Sequence, residues 1–220
     1  MNRGLDPDEV KQFYDRFGGR QDLQAFYENP AVNDLIDHAD FGHAGAVFEF
    51  GFGTGRLAER LLSRHLTPRA SYTGIDISTT MARLAAVRLQ PWRGRAGTRV
   101  LDGTGGTDFP DETFDRFVST YVLDLLSAGH IRRVLEEARR ILVPEGLICL
   151  ASLTKGTTAW CRTVTRAWQC IYRTSPRLVG GCRPVELLDY LDSVPWRIEY
   201  RNIICTWGIS SEIVVAARRP

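Results

Sequence analysis

Residues 46–58 read AVFEFGFGTGRLA, and this stretch decides the fold. Ala46, Val47, Phe48 and Phe50 are apolar and broken only by Glu49, the pattern of a buried strand. Gly51, Gly53 and Gly55 follow at every second position. A helical pattern starts directly behind them, over 56–64, with Leu57, Leu61 and Leu62 on one side. A strand that runs through a glycine turn into a helix N-terminus is a nucleotide-type cofactor site. Glycine removes Cβ atoms where a ligand lies against backbone, and it permits positive φ in the turn.

The spacing narrows the cofactor. A dinucleotide loop reads G-x-G-x-x-G, with its third glycine inside the helix start. Here the third glycine comes one residue early, and Arg56 stands in the usual place. A phosphate loop of the form G-x-x-x-x-G-K-S/T is absent. Glu49, just before the loop, is unfavourable beside a pyrophosphate. It suits a ligand that bears an ammonium and a sulfonium.

Strand and helix patterns then alternate. SYTGID (71–76) is a second strand ending in an acid, and Ser78 can cap a helix through Leu89. A short third strand over 99–101 ends at Asp102-Gly103. A fourth runs over 114–119, a helix over 131–142 stops at Pro144-Glu145-Gly146, and a fifth strand covers 147–153. This alternation predicts a parallel sheet with helices on both faces. The strand ends gather at one crevice, which places Glu49, Gly51, Asp76, Asp102 and Ser119 together. Asp76 follows the loop at the spacing at which an acid meets ribose hydroxyls, and Asp102 would reach a base's exocyclic amine.

The segments VFEFGFGTGRLAERLL, YTGIDIS, VLDGTGGTDFPDETFDRFVSTYVLDLL and VLEEARRILVPEGLICL resemble, in order and spacing, the successive motifs of class I S-adenosylmethionine-dependent methyltransferases. The resemblance covers roughly residues 44 to 153 and is nearest the small-molecule branch that includes quinone-biosynthesis enzymes. It implies an α/β, Rossmann-like, doubly wound and mostly parallel seven-stranded sheet. It also implies S-adenosyl-L-methionine as cofactor. Gly51 and Gly53 would pass under its methionine part, and Glu49 would hold its amino end. Asp76 would bind the ribose hydroxyls and Ile77 would lie against adenine. Asp102 would take the adenine amine, with the Gly103 backbone near the ring. Ser119 would offer a carbonyl near the methionine amine, and Tyr14 resembles the aromatic that closes over the cofactor. Ile77 and Tyr14 equally suit plain core or cap packing.

Two departures bear on the acceptor. Where related small-molecule enzymes often carry histidines, this chain has Asp124-Leu125-Leu126. Ser119-Thr120-Tyr121-Val122 lacks the paired prolines of the branches that methylate amides and base amines. Tyr121, Asp124, His130 and His38 are acid/base candidates, but nothing in the sequence pairs them with an orienting group. No catalytic residue is assigned.

The flanks carry the rest. Residues 1–43 read as a helical cap. One helix starts at Asp6-Pro7, with Val10, Phe13, Tyr14 and Phe17 on one face, and stops at Gly18-Gly19. A second starts at Asn29-Pro30. This cap covers either the cofactor or only a sheet face. Residues 154–184 read as a substrate-side insert with a helix over 157–174. Its Trp160, Trp168 and Tyr172 form either an apolar lid or core. A short helix over 183–190 and strands over 197–204 and 211–217 predict an antiparallel hairpin at one sheet edge. With no linker or repeat, all 220 residues read as one domain.

Bulk composition excludes other classes. With 44% hydrophobic and 25% charged residues the chain reads as globular, and a net charge of +2 implies no strong attraction for polyanions, so charge alone does not indicate nucleic acid. Of its 28 basic residues only Lys11 and Lys155 are lysines, and the arginines are scattered rather than clustered. Five cysteines without a C-x-x-C pair give no zinc spacing and are expected as reduced thiols. MNRGLDPDEV lacks the apolar run of a secretion signal, and no stretch reaches the roughly 20 apolar residues of a membrane helix. A cytoplasmic enzyme without stable membrane insertion, acting on a small aromatic, quinone-like or lipid-like acceptor, is expected. A homodimer is compatible with this. The rival readings are a non-catalytic cofactor-binding homologue and a nicotinamide-dependent oxidoreductase.

Overall fold

The computed structural model describes residues 7–101, 106–175, 179–191 and 196–219. In it, strand β1 (Ala46–Phe50), helix α3 (Arg56–Arg64), β2 (Ser71–Asp76), α4 (Thr79–Arg88), β3 (Ala96–Val100) and β4 (Phe114–Thr120) follow one another. Then come α5 (Ala128–Ile141), β5 (Leu142–Leu153), α6 (Ala159–Thr174), α7 (Leu188–Leu191), β6 (Trp196–Thr206) and β7 (Ile209–Arg218). Two helices, α1 (Pro7–Phe17) and α2 (Ala25–His38), precede β1, joined by a 3₁₀ stretch, Gly18–Gln24.

The seven-stranded sheet has the order β3-β2-β1-β4-β5-β7-β6. The first five strands are parallel, while β7 runs antiparallel to both β5 and β6. Alternation along the central strands splits the core in two. Val47, Cys149, Ala151, Ile213 and Val215 face one layer with α2 and α3. Phe48, Ile148, Leu150, Val214 and Ala216 face the other, against α5. Ile131, Val134, Leu135, Ala138 and Ile141 are all buried on α5. At about 1.5–3 kcal/mol per fully buried aliphatic side chain, such stripes hold the helices on the sheet. The Ser78 hydroxyl accepts the Met81 N–H at 3.2 Å and caps α4 as expected.

Several boundaries differ from the expectation. β3 begins at Ala96 rather than 99, because an edge strand reading AGTRV is half exposed and carries no apolar signal. α2 begins at Ala25, with Pro30 inside it rather than at its start. The helix expected over 183–190 shrinks to Leu188–Leu191. The thiol expectation is also corrected: Cys161 and Cys205 form a disulfide that ties α6 to the end of β6, while Cys149, Cys170 and Cys182 are free. A pairing across 44 residues is set by the docking of α6 on the β6–β7 turn, which sequence spacing does not show.

The N-terminal segment packs in two places. α2 lies on the sheet over β5, β6 and β7, and α1 lies against α4 at the glycine loop. Asp15 accepts the Ser78 hydroxyl at 2.6 Å and the Thr80 N–H at 3.1 Å, which seats α1 on the start of α4. Asp22 accepts the Thr54 hydroxyl at 2.6 Å and an Arg88 N–H at 2.8 Å, which locks the 3₁₀ stretch onto the loop.

Candidate active site

β1 is the strand at which the sheet order reverses, with β2 on one side and β4 on the other. The loop that leaves it therefore opens into the crevice where doubly wound sheets bind ligands. Gly51 and Gly53 adopt φ of +80° and +53°. The loop is pinned to β2: the Gly51 N–H donates to Ile75 O at 2.8 Å, and the Gly53 N–H donates to Asp76 Oδ2 at 2.9 Å. A Cβ on Gly51 would run into Val122, and one on Gly53 would lie 2.7 Å from Gln21 Oε1. Gly55 differs in its reason. Its missing Cβ lets Ala85 of α4 approach, at 3.0 Å from the Cβ position.

Two cavities meet at this loop. The first, about 80 Å³, is mostly apolar and is lined by Tyr14, Gly51, Gly53, Asp76, Ile77 and Met81, among others. The second, about 590 Å³, is mostly polar and lies between α2, α3 and the loop, with Glu28, Glu49, Arg56 and Arg60 in its wall. Gln21, Gly51 and Tyr121 line both. Gln21 Oε1 is buried there without a hydrogen-bond partner among the described residues.

Of the sequence candidates, Tyr14, Gly51, Gly53, Asp76 and Ile77 come together in the narrower cavity. Both Asp76 oxygens are engaged by backbone, Oδ1 accepting the Ser78 N–H at 2.8 Å. Burial raises the Asp76 carboxyl pKa, and these N–H donors pull it down. Burial likewise pushes the Tyr14 phenol up. Glu49 lines the polar cavity instead. It is buried, accepts the Tyr72 hydroxyl at 2.7 Å, and is pushed by burial up to about 7. Ser119 is fully buried, donates to Phe50 O at 3.1 Å, and leaves Thr120 and Tyr121 to form the cavity wall. Asp102 and Gly103 lie outside the described residues, while their neighbours Leu101 and Gly106 line the narrow cavity.

The acid/base candidates scatter. His38 is stacked on Tyr200 at 3.5 Å and bonded to Asp34 O, and His130 bonds the Ser127 hydroxyl. Asp124 is fully buried and pushed by burial up to about 7. Its Oδ2 accepts the Leu153 N–H at 3.3 Å, and Oδ1 has no partner among the described residues. Tyr121 stays at the site. Its φ of +56° is sterically unfavourable for a bulky residue. Its N–H donates to Ala151 O, its hydroxyl bonds the Ser211 hydroxyl at 2.8 Å, and its ring meets Tyr27 edge-on at 5.9 Å.

Sequence reasoning missed Gln21 and Glu28. Gln21 sits in a stretch that reads as a helix stop. Glu28 is 8% exposed and pairs with Arg56 at 3.2 Å. Burial pushes it up to about 7 against the pull of that arginine. An acidic residue on a helix carries no local sign that it will face a cavity.

The Methyltransferase domain family model matches residues 47–146. The chain is 29% identical over 157 residues to the malonyl-[acyl-carrier protein] O-methyltransferase of Geobacter sulfurreducens, covering 70% of this chain and 56% of that one. It is 24% identical over 219 residues to the ubiquinone/menaquinone biosynthesis C-methyltransferase UbiE of Syntrophotalea carbinolica, covering 93% and 87%. The chain spans about half the length, or less, of most curated relatives it matches. In fold it is similar to the N-methyltransferase NodS of Bradyrhizobium japonicum WM9 in complex with S-adenosyl-L-homocysteine. That likeness has a TM-score of 0.73 at 17% identity, over 94% of this chain and 97% of that one. The glycine cradle and the Asp76 carboxylate at its edge fit S-adenosyl-L-methionine, and over residues 47–146 the chain carries a methyltransferase domain similar to those of S-adenosylmethionine-dependent methyltransferases.

Proposed function

We propose that the chain transfers a methyl group to a small acceptor that has a polar head and a lipid-like or quinone-like body. The observation that carries this reading is the polar cavity, with Glu28, Arg56 and Arg60 in its wall, that meets the narrower cofactor cavity at Gly51 and Tyr121. S-adenosyl-L-methionine, when bound, supplies a methyl group on a sulfonium, and this leaving group needs little further activation.

The chain's own residues then have three tasks. The narrow cavity holds the adenosyl end: Asp76 accepts from the ribose hydroxyls, Ile77 walls the base, and Tyr14 lies over it. Asp102 and Gly103 complete the adenine contacts in this proposal. Gly51, Glu49 and the Ser119–Thr120 backbone hold the methionine end. Tyr121 stands at the junction and, with Tyr14 and Tyr27, keeps water from the reacting atoms. Alignment by such walls is the main contribution a protein makes to an in-line displacement.

Glu28 is the group we assign to take a proton from the acceptor. It lines the polar cavity near Tyr121, and its environment holds it close to neutrality. The Arg56 and Arg60 guanidinium groups in the same wall favour an acceptor with a polar or anionic head over a wholly apolar one.

Titration with S-adenosylhomocysteine and, separately, NADH tests the cofactor reading; binding of NADH alone would overturn it. A methyl-release assay over phenols, quinols, amines and aminolipids tests turnover. No release above background across that panel would favour a non-catalytic binding protein. Cytoplasmic location and a homodimer belong to the same proposal, and cell fractionation and light scattering test them.

A further inference from the structure

We propose that α6 and the β6–β7 turn form a docking surface for an anionic lipid bilayer. This goes beyond the methyl-transfer reading and is testable without turnover.

Trp207, at the tip of the turn, is 79% exposed, and Trp160 on α6 is 67% exposed. The two elements touch: a Cβ on Gly208 would lie 2.9 Å from Trp160 Nε1 and 2.7 Å from Val164 Cγ2. Trp160 therefore belongs neither to the core nor to a cavity wall, unlike Trp168, whose indole N–H donates to Cys182 O at 2.9 Å. Ile171, three turns further along the same flank, is also exposed. Cys161 and Cys205 lie beside both indoles at the same junction. The packing of the Gly208 backbone against Trp160 and Val164 orders the patch before it meets a partner, so little ordering is required on binding.

The opposite flank of α6 carries Arg162, Arg166 and Arg173, all exposed. Among the described residues none of them forms an ion pair. Neither 159–174 nor 202–211 contains an Asp or Glu. Some exposed arginines elsewhere are paired with acids, as Arg197 is with Glu145 and Arg99 with Asp108. Thr163 and Cys170 lie between the two flanks, on the crest that faces water. A helix docked by this crest would place indoles on one side and guanidinium groups on the other.

An indole has an apolar body and one N–H donor, which suits the headgroup level of a bilayer. Guanidinium groups bind lipid phosphate, and anionic lipid attracts them. A second copy of the chain fits less well, since an acid-free patch offers nothing to complement three arginines. Among the described residues no helix is long and apolar enough to cross a membrane, so the contact is peripheral.

The test is co-sedimentation of the full chain with phosphatidylcholine vesicles, with and without phosphatidylglycerol. We expect binding only to the anionic vesicles, and its loss in high salt. Trp160→Ala/Trp207→Ala should abolish it. Arg162→Gln/Arg166→Gln/Arg173→Gln should weaken it about a hundredfold, at roughly fivefold per charge. S-adenosylhomocysteine binding should be unchanged in both, which shows that the site is intact. Trp207→Ser, on the exposed turn alone, serves if the double variant does not fold, and it should weaken binding at least about tenfold. Three results would overturn the proposal: equal binding to neutral vesicles, anionic-vesicle binding that survives loss of the indoles, or no vesicle binding with a dimer that Trp207→Ser dissociates.

Discussion

The backbone N–H of Gly53 donates to Asp76 Oδ2 at 2.9 Å, so the acid at the end of β2 fixes the glycine loop before any ligand arrives. Removing it should act twice. We expect Asp76→Ala to weaken S-adenosylhomocysteine binding by roughly 10–100-fold, the loss of one or two charge-assisted bonds. Calorimetric titration checks this, and unchanged affinity would refute the assigned role.

Gly53→Ala tests the cradle. The position has φ +53°, and a Cβ there would press on Gln21. We expect about 1–2 kcal/mol of destabilisation from the backbone alone, together with weaker cofactor binding. Denaturant unfolding reads the first and titration the second. A variant as stable as the parent would mean that the loop tolerates a side chain.

The pH profile tests Glu28. Its ionised form is the base, so kcat/KM should rise with pH through about 7. Glu28→Gln should lose about 10²-fold or more in rate and flatten that limb, while S-adenosylhomocysteine still binds. An unaltered profile in the variant would exclude Glu28 as the proton acceptor.

Stability should follow the buried carboxyls. Burial holds Glu28, Glu49 and Asp124 near 7 in the folded chain, above ordinary values of 4.5, 4.5 and 3.8. The folded state binds more protons than the unfolded one between those limits. Stability is therefore greatest near pH 4 with respect to these groups and falls as pH rises through 7. Asp124→Asn should raise stability at pH 8 by on the order of 2 kcal/mol and change it little at pH 4. Thermal unfolding across this range checks the slope, and a steeper fall in the variant would contradict it.

Cysteine chemistry offers a separate check. Alkylation of the denatured, unreduced chain should label Cys149, Cys170 and Cys182 only, and reduction should expose Cys161 and Cys205. Cys161→Ser should cost about 2–4 kcal/mol, since the bridge closes a long loop in the unfolded chain. Five labelled thiols before reduction would show that the pair is open in that preparation, as a reducing compartment would leave it.

Much of this was legible in residue order. The glycine spacing, the acid at Asp76 and the alternation of strand and helix follow from local periodicity and turn chemistry, and both β1 and α3 have their expected limits. The cap helix with Tyr14, the Ser78 cap and the antiparallel final hairpin were equally local. What failed locally was surface and edge: β3 lacks an apolar signal, and α6 turns Cys161 and Thr165 inward while Trp160 faces water. An apolar stripe says that a helix has two sides, but only its neighbours decide which residues are covered.

The sequence by itself determined the alternation of strand and helix and the glycine loop, because each depends on residues within a few positions of one another; the cofactor class came from several such segments resembling known motifs in order and spacing. Only the tertiary structure joined Gln21, Glu28, Arg56 and Tyr121 around a second cavity and bridged Cys161 to Cys205. Those residues are separated by tens of positions, and the docking of α2 on β5, β6 and β7 and of α6 on the β6–β7 turn sets their distances. The acceptor chemistry lies in that packing, where chain order carries no periodic signal.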